Sequence, residues 1–155
     1  MNGRREVTRL KQQLDAAFSR VSLLSTSDIE LRSDFARYLC VLVSGYLEMA
    51  VQELAAECCR RQSSPMIHRF ASSQLRSFQN PGREKVLQLM GSFNPGWRTY
   101  LESNFANELE AAGSVVSNRN LIAHGRSVSI TYIRVRDYFD RVQRLVEQLS
   151  NWFDP

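Results

Sequence analysis

From Ser27 to about Arg61 the chain carries apolar residues at helical spacing without interruption, and this restricts its fold more than any other feature. Leu31, Phe35, Tyr38/Leu39, Leu42, Tyr46, Met49/Ala50, Leu54 and Cys58 step by three and four, the period of one face of a helix. Ser27-Asp28-Ile29-Glu30 reads as a capping box at its start, with Ser27 satisfying the first amides and Glu30 reaching back. At a 1.5 Å rise per residue the helix is roughly 50 Å long. Val41 lies on the back of the stripe, so neighbours are expected on more than one side. Ser44-Gly45, in the middle, marks either a bend or a close approach by another backbone.

The rest of the chain supplies those neighbours. Residues 3–24 place Val7, Leu10, Leu14, Ala17/Phe18, Val21 and Leu24 on a narrow face, which suits packing on a partner as well as on the same domain. Ser64-Pro65 opens a third helix with proline at its first position. It carries Ile67, Phe70, Leu75 and Phe78 to Asn80-Pro81-Gly82. A short helix spans about Arg83 to Gly91, and Asn94-Pro95-Gly96 is read as a turn. Another helix starts near Trp97 or Asn104 and reaches His124. The last, about Thr131 to Phe153, has a near-heptad seam of Val135, Tyr138/Phe139, Val142, Leu145/Val146, Leu149 and Trp152/Phe153. Val128 to Thr131 alternates like a strand but is too short to build a sheet. With only 7 Gly and 4 Pro in 155 residues, long helices are favoured. The fold class predicted is all-α, a bundle of five to six helices with one very long second helix. It forms a single domain over 1–155, with 1–26 as an N-terminal helix and 27–155 as the bundle core. A chain of this length buries roughly 68–70% of its unfolded surface and needs no disulfide or metal staple.

The net charge is +4 and the pI near 9.2. Lys11 and Lys85 are the only lysines among the 20 basic residues. A guanidinium fork suits phosphate and stacks on bases, so this excess of arginine fits an anionic partner; a GC-rich coding bias produces the same excess. Cys40, Cys58 and Cys59 show no ligand spacing and are read as packing residues. The odd count and the lack of a signal-peptide pattern point to a reducing, cytoplasmic setting. The longest apolar run, Leu39 to Val43, is core-sized, well short of the ~20 residues that span a bilayer. No membrane partner is expected.

One short stretch carries chemistry. Ser117-Asn118-Arg119-Asn120-Leu121-Ile122-Ala123-His124-Gly125 ends a helical pattern with an arginine, an amide and one of two histidines. Gly125 can take the left-handed conformation that closes a helix. On a helix Asn120 and His124 lie about 40° apart on one face. Arg119 falls on the apolar stripe of Leu101, Phe105, Ala112 and Ala123. It must therefore meet a carboxylate, carbonyls or a polar cleft. Glu48 and Glu53 are the candidate carboxylates, Glu53 within the main stripe of the long helix and Glu48 nearly opposite; both stay open. Arg126 follows the glycine and is taken as a supporting residue. The other histidine, His68, follows a turn proline and is read as surface or packing. The bland alternative is a structural ion pair, a surface amide and a C-terminal cap.

Arg119-Asn120-Leu121-Ile122-Ala123-His124-Gly125 resembles the Arg-x4–6-His motif of the HEPN family (higher eukaryotes and prokaryotes nucleotide-binding), down to the Ala-His-Gly ending. Its place at the end of the penultimate core helix is similar too. Tyr38-Leu39-Cys40 and Ser44-Gly45-Tyr46-Leu47-Glu48 on the long helix resemble the RiboL-PSP-HEPN branch, and the resemblance covers most of residues 28–153. It implies a metal-independent, cofactor-free endoribonuclease acting on RNA, with Arg119, Asn120 and His124 as catalytic residues. It favours Glu48 over Glu53 and implies a homodimer with both motifs lining one cleft. It also implies a toxin or defence role, with a nucleotidyltransferase-type antitoxin as a further partner.

The chemistry agrees with that reading. RNA carries its own nucleophile in the 2′-hydroxyl, so cleavage needs proton transfer and charge stabilisation. Histidine titrates near neutrality and serves as acid or base. An arginine can neutralise charge building on the phosphoryl oxygens. Two alternatives remain: a non-catalytic RNA-, nucleotide- or dimer-binding module, and a helical adaptor in a defence or toxin–antitoxin assembly that docks through its first helix.

Overall fold

In the computed structural model, which describes residues 3–24 and 27–154, seven helices form an all-α bundle with no strand among the described residues. They are α1 (Gly3–Ser22), α2 (Ile29–Gln62), α3 (Pro65–Arg76), α4 (Arg83–Phe93), α5 (Pro95–Asn104), α6 (Ala106–Ala123) and α7 (Tyr132–Phe153). The predicted long helix is α2, and it is the axis of the molecule: α1, α3, α6 and α7 all pack against it. Leu39, Val43, Leu47, Ala50, Val51, Leu54 and Ala55 are almost wholly buried. By length and composition α2 could cross a membrane; here those apolar residues face the other helices, as in a core helix.

The cap of α2 stands one residue later than predicted. Asp28, in extended conformation, accepts from the amide of Leu31 at 3.1 Å. Helical geometry begins at Ile29, so Glu30 is the second helical residue and cannot close a box with Ser27. An acid here also suits the positive end of the helix dipole. Among the described residues Gly45 meets nothing within 4 Å where a Cβ would stand, and α2 runs through it, so no described backbone approaches there. The close approach is at Gly3, where a Cβ would meet the carbonyl oxygen of Glu53 at 3.0 Å. There α1 settles on its own domain, burying Val7, Leu14, Ala17 and Phe18.

Two readings need correction. Asn94-Pro95-Gly96 is the start of α5, with the Asn94 side chain accepting from Gly96 N at 2.8 Å and Pro95 at the first helical position. Of the two starts read for the helix that reaches His124, the one near Asn104 fits α6, and the one near Trp97 falls on a separate helix, α5, which is why the count exceeds five or six. Phe105, at φ −125° and ψ 31°, caps α5 and starts α6. The change of direction lets α5 pack on α4 while α6 packs on α2 and α7. An aromatic cluster fixes this arm: Trp97 stacks on Trp152 at 5.0 Å, and Phe93 meets Phe153 edge-on at 4.9 Å. The α7 seam is as predicted, with Val135, Phe139, Val142, Leu145, Val146, Leu149 and Phe153 buried. Thr131 caps α7 by accepting from Arg134 N at 3.2 Å. Val128 and Ile130 form no strand; both are buried in the core.

Candidate active site

The floor of the site is set by the inner face of α6. Leu109, Ala111, Ala112, Val115 and Val116 are buried, and Cys40 of α2 lies 3.8 Å from the carbonyl of Val115. Burial pushes the Cys40 thiol up to about 11, in line with a packing role. Cys58 is also buried and Cys59 half-buried.

The end of α6 is built as the glycine predicts. His124 is the C-cap, and Gly125 has φ +68°. Arg126 N donates to Leu121 O at 2.9 Å and Gly125 N to Ile122 O at 3.0 Å, the paired bonds of a Schellman ending. This fixes where His124 and Arg126 leave the helix. Ser117, Asn120, Leu121, His124 and Arg126 line one open cleft of about 480 Å3. Asn120 and His124 share a face, as one turn of helix requires.

Arg119 does not line that cleft. It continues the buried face of α6 one turn beyond the core, where it is half-buried. Leu101 and Phe105 of the predicted stripe belong to a different helix direction, and Ala123 is exposed. Arg119 Nη1 donates to Asn120 Oδ1 at 3.3 Å. Since a guanidinium only donates, the amide must turn its oxygen to Arg119, leaving its NH2 group as a donor for the cleft. Among the described residues no carboxylate stands within ion-pair distance of Arg119. Glu48 instead accepts from the backbone amide of Asn80 at 2.7 Å. There it holds the α3–α4 connection, where Asn80 has φ 51°. Glu53 is exposed on α2 beside Gly3, not within the buried stripe. The predicted carboxylate partner for Arg119 is therefore neither of these. His68 is half-buried on α3, 3.4 Å from Ser72 Oγ and away from the cleft. No group of three or more His, Cys, Asp or Glu among the described residues is placed to hold a metal ion.

The surroundings of the motif were not singled out from the sequence. Arg37 of α2 donates to Val128 O at 3.2 Å, and Tyr132 of α7 reaches Phe18 O of α1 at 3.5 Å. These contacts gather the end of α1, the start of α2, the end of α6 and the start of α7 at one end of the bundle. Arg20, Arg32, Arg126 and Arg134 stand there with no ion pair among the described residues. Leu23, Ile29 and Ile133 lie on the same end, 83%, 78% and 80% exposed. The signal lay in the pairing pattern: Arg136 and Arg141 have an acid four residues away on α7, and Arg134 does not.

No curated protein and no solved structure matches the chain significantly. A family model does, and it extends the sequence resemblance through α1: matched over residues 4–154, the chain belongs to the RiboL-PSP-HEPN family.

Proposed function

We propose that this protein is a metal-independent endoribonuclease that cleaves RNA by attack of the 2′-hydroxyl on the adjacent phosphorus, leaving a 2′,3′-cyclic phosphate, and that it acts as a toxin or defence effector. Membership of a HEPN family supports an RNA- or nucleotide-related role. The observation that carries the finer reading is the convergence of Asn120, His124 and Arg126 on one cleft, with Arg119 tied to Asn120 and, among the described residues, free of any carboxylate. A guanidinium used for structure is normally paired. This one keeps most of its donors for an anion.

In the proposed reaction His124 exchanges the proton, as base toward the 2′-hydroxyl or as acid toward the 5′-oxygen. Arg119 and Arg126 stabilise charge on the non-bridging oxygens. The NH2 group of Asn120 holds a phosphate or hydroxyl oxygen. One chain brings one histidine to this cleft, whereas in-line cleavage uses an acid and a base. We therefore read the active species as a homodimer in which two copies bring their His124 side chains to one cleft. The exposed Leu23, Ile29 and Ile133 at that end are apolar surface that a second copy can cover.

Incubating the protein with total RNA in EDTA tests this. Fragments ending in 2′,3′-cyclic phosphate that disappear with His124→Ala are expected. RNA binding without fragments would make the protein a binding module instead.

A further inference from the structure

A second cleft lies next to the first along α6. It is also about 480 Å3 and is lined by Arg83, Glu110, Gly113, Ser114, Ser117 and Tyr138, among others. Ser117 lines both. Gly113, Ser117, Asn120 and His124 follow one another at steps of four, three and four, so one continuous face of α6 floors both clefts. From Gly113 to His124 the floor is roughly 16 Å long at 1.5 Å per residue, the length of about five stacked nucleotides at ~3.4 Å each.

The walls differ from the floor. Where α4 crosses α6, a Cβ on Gly113 would stand in ordinary contact, 3.9 Å from the Cβ of Arg83, so these two residues mark the far end of the groove. Arg83 is half-exposed, and its one ion pair among the described residues, to Glu84, is 3.7 Å long between two exposed groups. Such a pair competes weakly for the guanidinium. Tyr138 lines the groove from α7 and is half-buried. Ser114, Ser117 and Asn118 add hydroxyl and amide groups. One feature opposes an anion: Glu110, exposed on the rim, with no ion pair among the described residues.

We propose that this face of α6 is a track for single-stranded RNA leading from the motif to α4, with Arg83 on a backbone phosphate and the ring of Tyr138 as a stacking platform for a base. A cation and an aromatic face set along a floor of small polar residues suit an unpaired strand. An A-form duplex is read across its wide, shallow minor groove instead. Glu110 is a negative element beside the track that weakens phosphate binding at the far end. The proposal rests on the reading of the motif as an RNA site, yet it can fail separately.

The test measures binding of an uncleavable 2′-O-methyl oligonucleotide, about eight nucleotides long, by fluorescence anisotropy across a salt series on the full chain. Arg83→Ala should weaken binding about fivefold and reduce the slope of log affinity against log salt by about 0.7, one single-strand phosphate contact. Tyr138→Ala should weaken it about tenfold while leaving the salt slope unchanged. Tyr138→Phe, which keeps the ring and its packing, should bind like the natural protein and so separates stacking from folding. Glu110→Gln should tighten binding. Unchanged affinity and salt slope in both Arg83→Ala and Tyr138→Ala overturns the track while leaving the motif's role intact. So does a natural protein that cleaves RNA but does not bind the oligonucleotide. Binding that follows the expected pattern without any cleavage of RNA upholds the track and removes the endoribonuclease reading.

Discussion

Where α2 and α7 finish, Arg61 donates to Asp154 Oδ1 at 2.8 Å and to Phe153 O at 2.6 Å. Arg60 holds Glu57 through two hydrogen bonds of 2.7 and 2.8 Å, and Arg4 reaches Asn151 at 3.1 Å. At the other end, among the described residues, Arg119 has a single hydrogen bond, to its own neighbour Asn120, and Arg20, Arg32, Arg126 and Arg134 have no ion pair. The two ends draw on the same residue type for different purposes. At the first, Arg61 and Arg4 tie the end of α2 and the start of α1 to the end of α7, and Arg60 pairs within α2. At the second, Arg37 ties α2 to Val128 and pairs with Asp34, but the other arginines are left over, beside a histidine and an open cleft, where an anion would meet donors that need no partner displaced.

The largest effect expected is on turnover. His124→Ala should lower RNA cleavage by about 10²–10⁴-fold, the range for losing a general acid or base. His124 is exposed at a helix end, so the melting temperature should stay nearly unchanged. Retained cleavage in that variant would dissolve the contrast between the ends. Arg119→Ala should lower cleavage by about 10²–10³-fold. With only one 3.3 Å hydrogen bond to lose, it should cost stability no more than about 0.5 kcal/mol. A large fall in stability would mean that Arg119 is a structural cation like Arg61.

Gly125→Ala comes next. Gly125 stands at φ +68° with nothing within 4 Å of where its Cβ would be. The cost is therefore backbone strain, about 1–2 kcal/mol, read as a melting shift of about 2–4 °C per kcal/mol. Arg61→Ala should cost about 1 kcal/mol for its two hydrogen bonds and leave cleavage intact. An effect on cleavage without one on stability would reverse the assignment of the two ends.

How much of this was legible follows from what local sequence encodes. α2, the proline start of α3, the α7 seam and the left-handed Gly125 were readable, because each rests on spacing or on one residue's backbone preference. The break at Phe105 was readable only as one of two starts, near Asn104 as against Trp97. Leu101, Phe105 and Leu109 keep steps of four across it, so a one-residue change of direction leaves the period undisturbed. Asn94-Pro95-Gly96 was ambiguous in kind, since Asn, Pro and Gly also open helices. The surroundings of Arg119 are tertiary information. Helical angle placed Glu53 near the buried stripe, but packing left it exposed and gave Glu48 to Asn80 N.

The smallest effect separates the ends by acid. The hydrogen bond from Arg60 holds the Glu57 carboxyl down at about 2, against a usual 4.5. Because that value is lower in the folded chain than in the unfolded one, Glu57 adds stability above about pH 4.5 that is lost as pH falls toward 2. Glu57→Gln should thus lower the melting temperature at pH 7, and its difference from the natural protein should shrink steadily through that window. If Glu57→Gln differs from the natural protein by the same amount at pH 7 and pH 3, the ionised pair is not what stabilises the end of α2. Burial of the Glu57 stem against α1 would then be the better account, because packing of its methylenes does not titrate.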